Sequence, residues 1–265
     1  MAVFSGQYFS FVMKHNVDLH VIIPTPEGNE QITNEQTQKA YPYEEGLPVV
    51  YLLHGAYGNH ASWTRFSSIE RYAQEHCCVV VMASADNSFY QDMVHGKPFH
   101  TFFAEELPAY VTSLFPVSKK REDTYIAGFS MGGYGAWYLA LSHPEKYAKS
   151  ASMSGALDIV ALYEAAKNGQ IESPFSWEDS FADLDHLEGS QADLFKLYED
   201  CVKKGIVPEL YQACGKDDFL YEMNCKVRDR LIKNGVSLTY EEGEGMHNWE
   251  FWDKYIQRIL DWMLK

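Results

Sequence analysis

Apolar residues recur along the chain in two rhythms. Residues 47–53 (LPVVYLL) and 79–83 (VVVMA) are unbroken apolar runs. Runs that do not alternate with polar residues suit strands covered on both faces, as in a parallel sheet. Residues 8–13 and 17–23 read as extended, the second ending at Pro24, and 125–127, 149–153, 209–214 and 236–240 read as further short strands. Between them, apolar spacing predicts helices over 67–75, 100–114, 132–141, 219–233 and 249–264, the last clearly amphipathic. Residues 25–47 are polar and turn-rich, as in a loop or hairpin tip. Strands alternating with helices predict an α/β fold, a mostly parallel central sheet with helices on both faces. At residues 158–207 the rhythm changes to Asp, Glu and aromatics, helical only in parts. About 50 residues make a thin core. This stretch is therefore expected to be a small helical cap inserted at the sheet edge, within one domain spanning 1–265.

Composition narrows the function. The 265 residues are 46% hydrophobic and 22% charged, enough for a large packed core. Lys and Arg number 22 against 37 Asp and Glu, a net charge of −15. That balance argues against nucleic acid and anionic membrane as partners. No basic head with a clean apolar stretch opens the chain, and no run reaches the roughly 18 apolar residues of a membrane span, so neither signal peptide nor anchor is expected. The five cysteines are odd in number, and their spacing fits neither zinc nor a redox pair. Cys77 and Cys78 read as small core residues, which suits a reducing, cytoplasmic setting. The histidines are scattered, and none pairs at i, i+4 beside a third ligand, so no metal is expected.

The candidate chemistry begins at residues 126–137, IAGFSMGGYGAW. Ser130 lies two residues from Gly128 and two from Gly132, after a strand and before a helix. This is the G-x-S-x-G nucleophile elbow in its strand–turn–helix context. The serine sits on a sharp turn with no room for side chains at the flanking positions, hence glycine. The turn aims the amide of Met131 and the helix N-terminus at whatever lies beside Oγ, where donors stabilise an oxyanion. The competing reading is a helix-capping serine in a glycine-rich connection.

A serine nucleophile needs a base, and in this architecture an acid and then a histidine follow it along the chain. His247, in EEGEGMHNW, follows the last strand and precedes the last helix. His186 is a weaker rival inside the cap. The acid lies in GKDDF, where Asp218, directly before Phe219, is preferred over Asp217. Asp229 and Asp253 read as surface charges on helices. The loop His54-Gly55-Ala56-Tyr57-Gly58 is placed to supply the second oxyanion donor, from the amide of Ala56 or else of Tyr57. His54 is expected to hydrogen-bond within that loop. Trp63, Phe89 and Tyr90 follow strand ends, where such sheets bind ligands, and are candidates for the acyl pocket, with packing beneath the loops as the alternative. Trp249 and Trp252 are expected to anchor the last helix.

The set LLHGAYGNHASW, NSFYQDM, EELPAYV, GFSMGGYGAW, SHPEKYA, GKDDFLY and HNWEFW resembles the esterase D family, from about residue 48 to the C-terminus. Within it, the likeness is to tributyrin-esterase-like and feruloyl-esterase-like enzymes, relatives of S-formylglutathione hydrolases. The resemblance implies an α/β-hydrolase fold, a Ser130–Asp218–His247 triad, an oxyanion hole at Ala56 and Met131, and no cofactor. It implies a small-molecule ester substrate with a short-chain acyl, aryl or hydroxycinnamoyl group, and a possible homo-oligomer. S-formylglutathione hydrolases usually carry histidine where this chain has Tyr134, which disfavours that thioester. The remaining alternative is a non-catalytic binding protein of the same fold, against which the intact triad argues.

Overall fold

A computed structural model describes residues 1–26, 41–173 and 175–265. Most of the 25–47 loop therefore lies outside the described residues. Eight strands form one sheet: β1 (Ala2–Ser10), β2 (His15–Ile23), β3 (Val49–Leu53), β4 (Val79–Ala83), β5 (Thr124–Phe129), β6 (Lys149–Met153), β7 (Glu209–Gly215) and β8 (Leu238–Gly243). Their order is β1-β2-β4-β3-β5-β6-β7-β8. The β1–β2 and β2–β4 pairs are antiparallel, and every other pair is parallel. This is the α/β-hydrolase arrangement, with the C-terminal ends of β5, β6, β7 and β8 brought into one row.

The continuous apolar runs are strands buried on both faces, as their pattern requires. On one face, Val50, Leu52, Val80 and Met82 pack against α2 (Ile69–His76) and α9 (Trp249–Met263). On the other, Val49, Tyr51, Val79 and Val81 meet α3, which spans 99–114, and α4 (Met131–Ser142). α9 buries Phe251, Trp252, Tyr255, Ile256, Ile259, Leu260 and Met263, one stripe at helical spacing.

Three differences from the sequence reading have local causes. The first strand is Ala2–Ser10, not 8–13; as an edge strand it is largely solvent-exposed and lacks a one-faced apolar signature. Residues beyond Ser10 turn instead, pinned where the Glu106 carboxylate accepts from the Phe11 and Val12 amides at 2.7 and 3.3 Å. Glu106 can reach them from a π-helical turn, Phe102–Glu106, inside α3. A short helix, α1 (Ser62–Phe66), follows β3 and was too brief to leave a periodic signature. The 158–207 stretch is not an edge insertion. It joins the neighbouring strands β6 and β7. Its first part holds α5 (Ile159–Lys167) and α6 (Trp177–Ser180), while α7 (Leu194–Lys204) packs on α4 as the crossover helix that two parallel strands require.

Candidate active site

Ser130 sits at φ 56°, ψ −124°, a conformation that residues with side chains rarely adopt. Its surroundings impose it. The Ser130 amide donates to Met153 O at 2.9 Å, and its carbonyl accepts from Ala156 N at 3.2 Å. A Cβ on Gly128 would lie 2.2 Å from Gly132 O, and one on Gly132 would lie 2.5 Å from His54 O. Both flanking positions thus require glycine, for the steric reason the motif suggests.

The loops after β7 and β8 are drawn together by backbone. Lys216 N donates to Gly243 O at 2.8 Å and Asp217 N to Gly245 O at 3.1 Å. A side chain on Gly215 would meet Gly245 O at 2.2 Å. This contact sets Asp218 beside His247. His247 Nδ1 lies 2.9 and 3.1 Å from the two Asp218 carboxylate oxygens, and Nε2 lies 3.0 Å from Ser130 Oγ. With Asp218 ionised, Nδ1 donates to it and leaves Nε2 free to accept from the serine hydroxyl. The Asp218 side chain is wholly buried and also accepts from Leu220 N at 2.8 Å, whereas Asp217 is exposed. His186 is exposed and paired with Asp183 in the cap, apart from this site.

Two residues with candidate oxyanion donors line the cleft that holds Ser130. Met131 opens α4, so its N–H has no intrahelical acceptor. Ala56 lines the same cleft. The Tyr57 amide is already engaged, donating to Asn87 Oδ1 at 2.8 Å, which leaves Ala56 as the available loop donor. His54 fixes this loop from below. Its Nε2 accepts from Ala85 N at 2.8 Å and its Nδ1 donates to Gly55 O at 2.8 Å. Burial pushes its pKa down to about 4, so the ring is a neutral crosslink.

The cleft holds about 330 Å³, within the range of small-molecule sites. A hollow of about 360 Å³ opens beside Val49 and Thr124, at the opposite end of the strands, away from Ser130. Of the three aromatic candidates, Phe89 lines the cleft, but Trp63 and Tyr90 do not. Trp63 lies behind Phe129, with ring centroids 5.4 Å apart, and donates its indole N–H to Leu53 O at 3.0 Å. Tyr90 points inward and donates its hydroxyl to His54 O at 2.8 Å. Each satisfies its polar tip within the core and so is committed to packing.

Other aromatics take their places. Phe219, 72% exposed, covers the His247 ring at 4.5 Å. Trp252 stands edge-on to His247 at 5.1 Å while stacking on Phe129, so it anchors α9 and walls the cleft together. Phe175 and Trp177 reach in from the cap and contact Phe89. The sequence signal for these was the SPFSW cluster in the cap and the Phe beside Asp218. Among the described residues no cluster of three or more His, Cys, Asp or Glu could hold a metal ion.

Comparison with known proteins agrees with this geometry. Residues 33–263 match the family model described as "Putative esterase". An acetyl esterase of Caldicellulosiruptor saccharolyticus is 33% identical, over 100% of this chain and 99% of that one. A fluorophosphonate-binding serine hydrolase of Staphylococcus aureus, solved with substrate bound, superposes with a TM-score of 0.86 at 33% identity, covering 100% of this chain and 98% of that one. An S-formylglutathione hydrolase of the same organism superposes with a TM-score of 0.83 at 33% identity, covering 100% and 99%. The chain belongs to this esterase family: it is an α/β-hydrolase that cleaves carboxylic esters.

Proposed function

We propose that the protein hydrolyses short-chain acyl, aryl or hydroxycinnamoyl esters through a Ser130–His247–Asp218 triad and an acyl-enzyme, within one domain whose cap covers the site. The observation that carries this reading is the hydrogen-bonded line from Asp218 through His247 to Ser130 Oγ, ending in a cleft that Ala56 and Met131 also line. His247 Nε2 takes the hydroxyl proton as Oγ attacks the ester carbonyl. Asp218 holds the imidazole in the needed tautomer and stabilises its cationic form. The amides of Ala56 and Met131 receive the oxyanion, each worth about 10²–10³ in rate. His247 then protonates the leaving alcohol. Water attacks the acyl-enzyme through the same base and regenerates Ser130. The cytoplasmic setting belongs to this reading too, supported by the buried thiols of Cys78, Cys201 and Cys214.

A thioesterase of the S-formylglutathione hydrolase type is the second reading, favoured by the 33% identity to such an enzyme. Tyr134 bears on it less directly than the sequence suggested. Its side chain is buried beneath Phe89, where its hydroxyl donates to Ala192 O in the cap at 2.7 Å and accepts from Gln91. It ties cap to core and does not line the cleft.

The test is a kinetic panel on purified protein with p-nitrophenyl acetate, butyrate and octanoate, methyl ferulate, acetylated xylan and S-formylglutathione. Turnover of the oxygen esters should dominate and should vanish in Ser130→Ala, with circular dichroism unchanged. A folded Ser130→Ala variant keeping more than a few per cent of activity would refute the nucleophile. A strong preference for the thioester would promote the second reading.

A further inference from the structure

The triad explains cleavage but not which esters reach it, and the cleft walls carry information on that point. They are dominated by apolar and aromatic side chains, among them Phe89, Leu162, Phe175 and Trp252. No Lys or Arg lines the cleft among the described residues. Among the described residues lining the cleft, the one carboxylate side chain is that of Glu172, exposed in the cap segment after α5. The whole chain carries −15.

A substrate carboxylate entering this cleft would give up hydration against aromatic walls and meet no cation in return. It would also meet the like charge of Glu172 at the cleft wall. An uncharged ester meets neither penalty and gains the apolar contact. We propose that the cleft selects esters whose acyl and leaving groups are both uncharged, with Glu172 setting the discrimination against anionic substrates. The inference rests on the esterase reading above and names its substrate class. It also separates the two readings, because a glutathione thioester brings carboxylates with it and falls in the disfavoured class.

The experiment compares methyl para-acetoxybenzoate, which is neutral, with para-acetoxybenzoate, its anionic counterpart bearing the same acyl group. The readout is the ratio of their kcat/KM values in wild type, Glu172→Gln and Glu172→Lys, each at low and high salt. Using ratios between variants cancels the difference in intrinsic reactivity. The wild type should favour the neutral ester, and added salt should narrow the gap. Glu172→Gln should narrow it by about 3-fold, and Glu172→Lys by about 10-fold, as the local charge changes by one and then two. A ratio unmoved in both variants, or an anionic ester handled as well as the neutral one in wild type, would overturn the proposal. If the neutral ester shows no Ser130-dependent turnover, the esterase reading itself fails and takes this inference with it. Neutral turnover with an unmoved ratio leaves the esterase reading standing and removes only the charge filter.

Discussion

Individual residues divide into those whose role is written into backbone geometry and those whose role depends on where a side chain points. The proposed triad residues Ser130, Asp218 and His247 belong to the first group. Each occupies a strand-end loop whose glycines allow a close backbone approach, and that pattern is visible in the linear chain. Trp63 and Tyr90 belong to the second. Both follow strand ends, as pocket residues should, yet each turns inward because a carbonyl of the 53–54 segment accepts its polar tip. Nothing in the order of residues encodes that rotation. The distinction is testable at Trp63, buried against Phe129 and Trp249. Trp63→Ala should cost about 3–5 kcal/mol of stability, the usual range for emptying a large aromatic site. The relative rates on acetate, butyrate and octanoate esters should stay as in wild type. Chemical denaturation alongside the chain-length series measures both, and a shifted chain-length preference in a folded variant would return Trp63 to the pocket.

Among the elements, those buried on both faces were the most legible, since short unbroken runs such as VVYLL and VVVMA suit central strands covered on both faces. Edge strand β1 and the one-turn helix α1 were not, because a mostly exposed strand or a length of five residues leaves little pattern to read. The 158–207 stretch was misplaced because it combines two jobs: α5 and α6 lend Leu162 and Trp177 to the cleft while α7 completes the crossover to β7. Interlocking of elements was also hidden, and Asn224 on α8 (Tyr221–Lys233) illustrates it. Its fully buried amide donates to Gly155 O at 3.0 Å and to Leu220 O at 2.9 Å, and accepts from Gln212 Nε2 at 2.9 Å. It therefore joins the loop that bonds the Ser130 carbonyl, through Ala156, to the loop bearing Asp218. Asn224→Ala takes the donor from the Gly155 carbonyl, while Leu220 O keeps the residue-224 amide, at a stability cost of about 1–3 kcal/mol. Small displacements of serine against acid are costly to rate, so kcat should fall by about 10- to 100-fold with KM little changed. If the folded variant lost stability but kept wild-type kcat, Asn224 would be a packing residue and no more.

For the molecule as a whole, the sequence exposed the order of layers but not the acid sensitivity expected from histidines that are buried only once the chain folds. His54 is the clearest case. In the folded state its pKa lies near 4, against an ordinary value of 6.5, because burial disfavours the cation. His100 is likewise pushed down to about 4 by burial and by neighbouring His143. Between those values the unfolded chain binds more protons than the folded one. Stability is therefore full above about pH 6.5 and is lost as pH falls from there towards 4. For a site as enclosed as His54 the slope is at most about 1.4 kcal/mol per pH unit. Protonation would also put a hydrogen on Nε2, where the ring now accepts from Ala85 N, and so disturb the loop carrying Ala56. Thermal denaturation from pH 7.5 to 4.5 should show Tm falling mainly below pH 6.5. His54→Gln keeps a donor and an acceptor but cannot titrate, so it should flatten that slope by one histidine's share. A slope unchanged in this variant would move the acid sensitivity to His100 and its neighbours and leave the loop carrying Ala56 indifferent to pH.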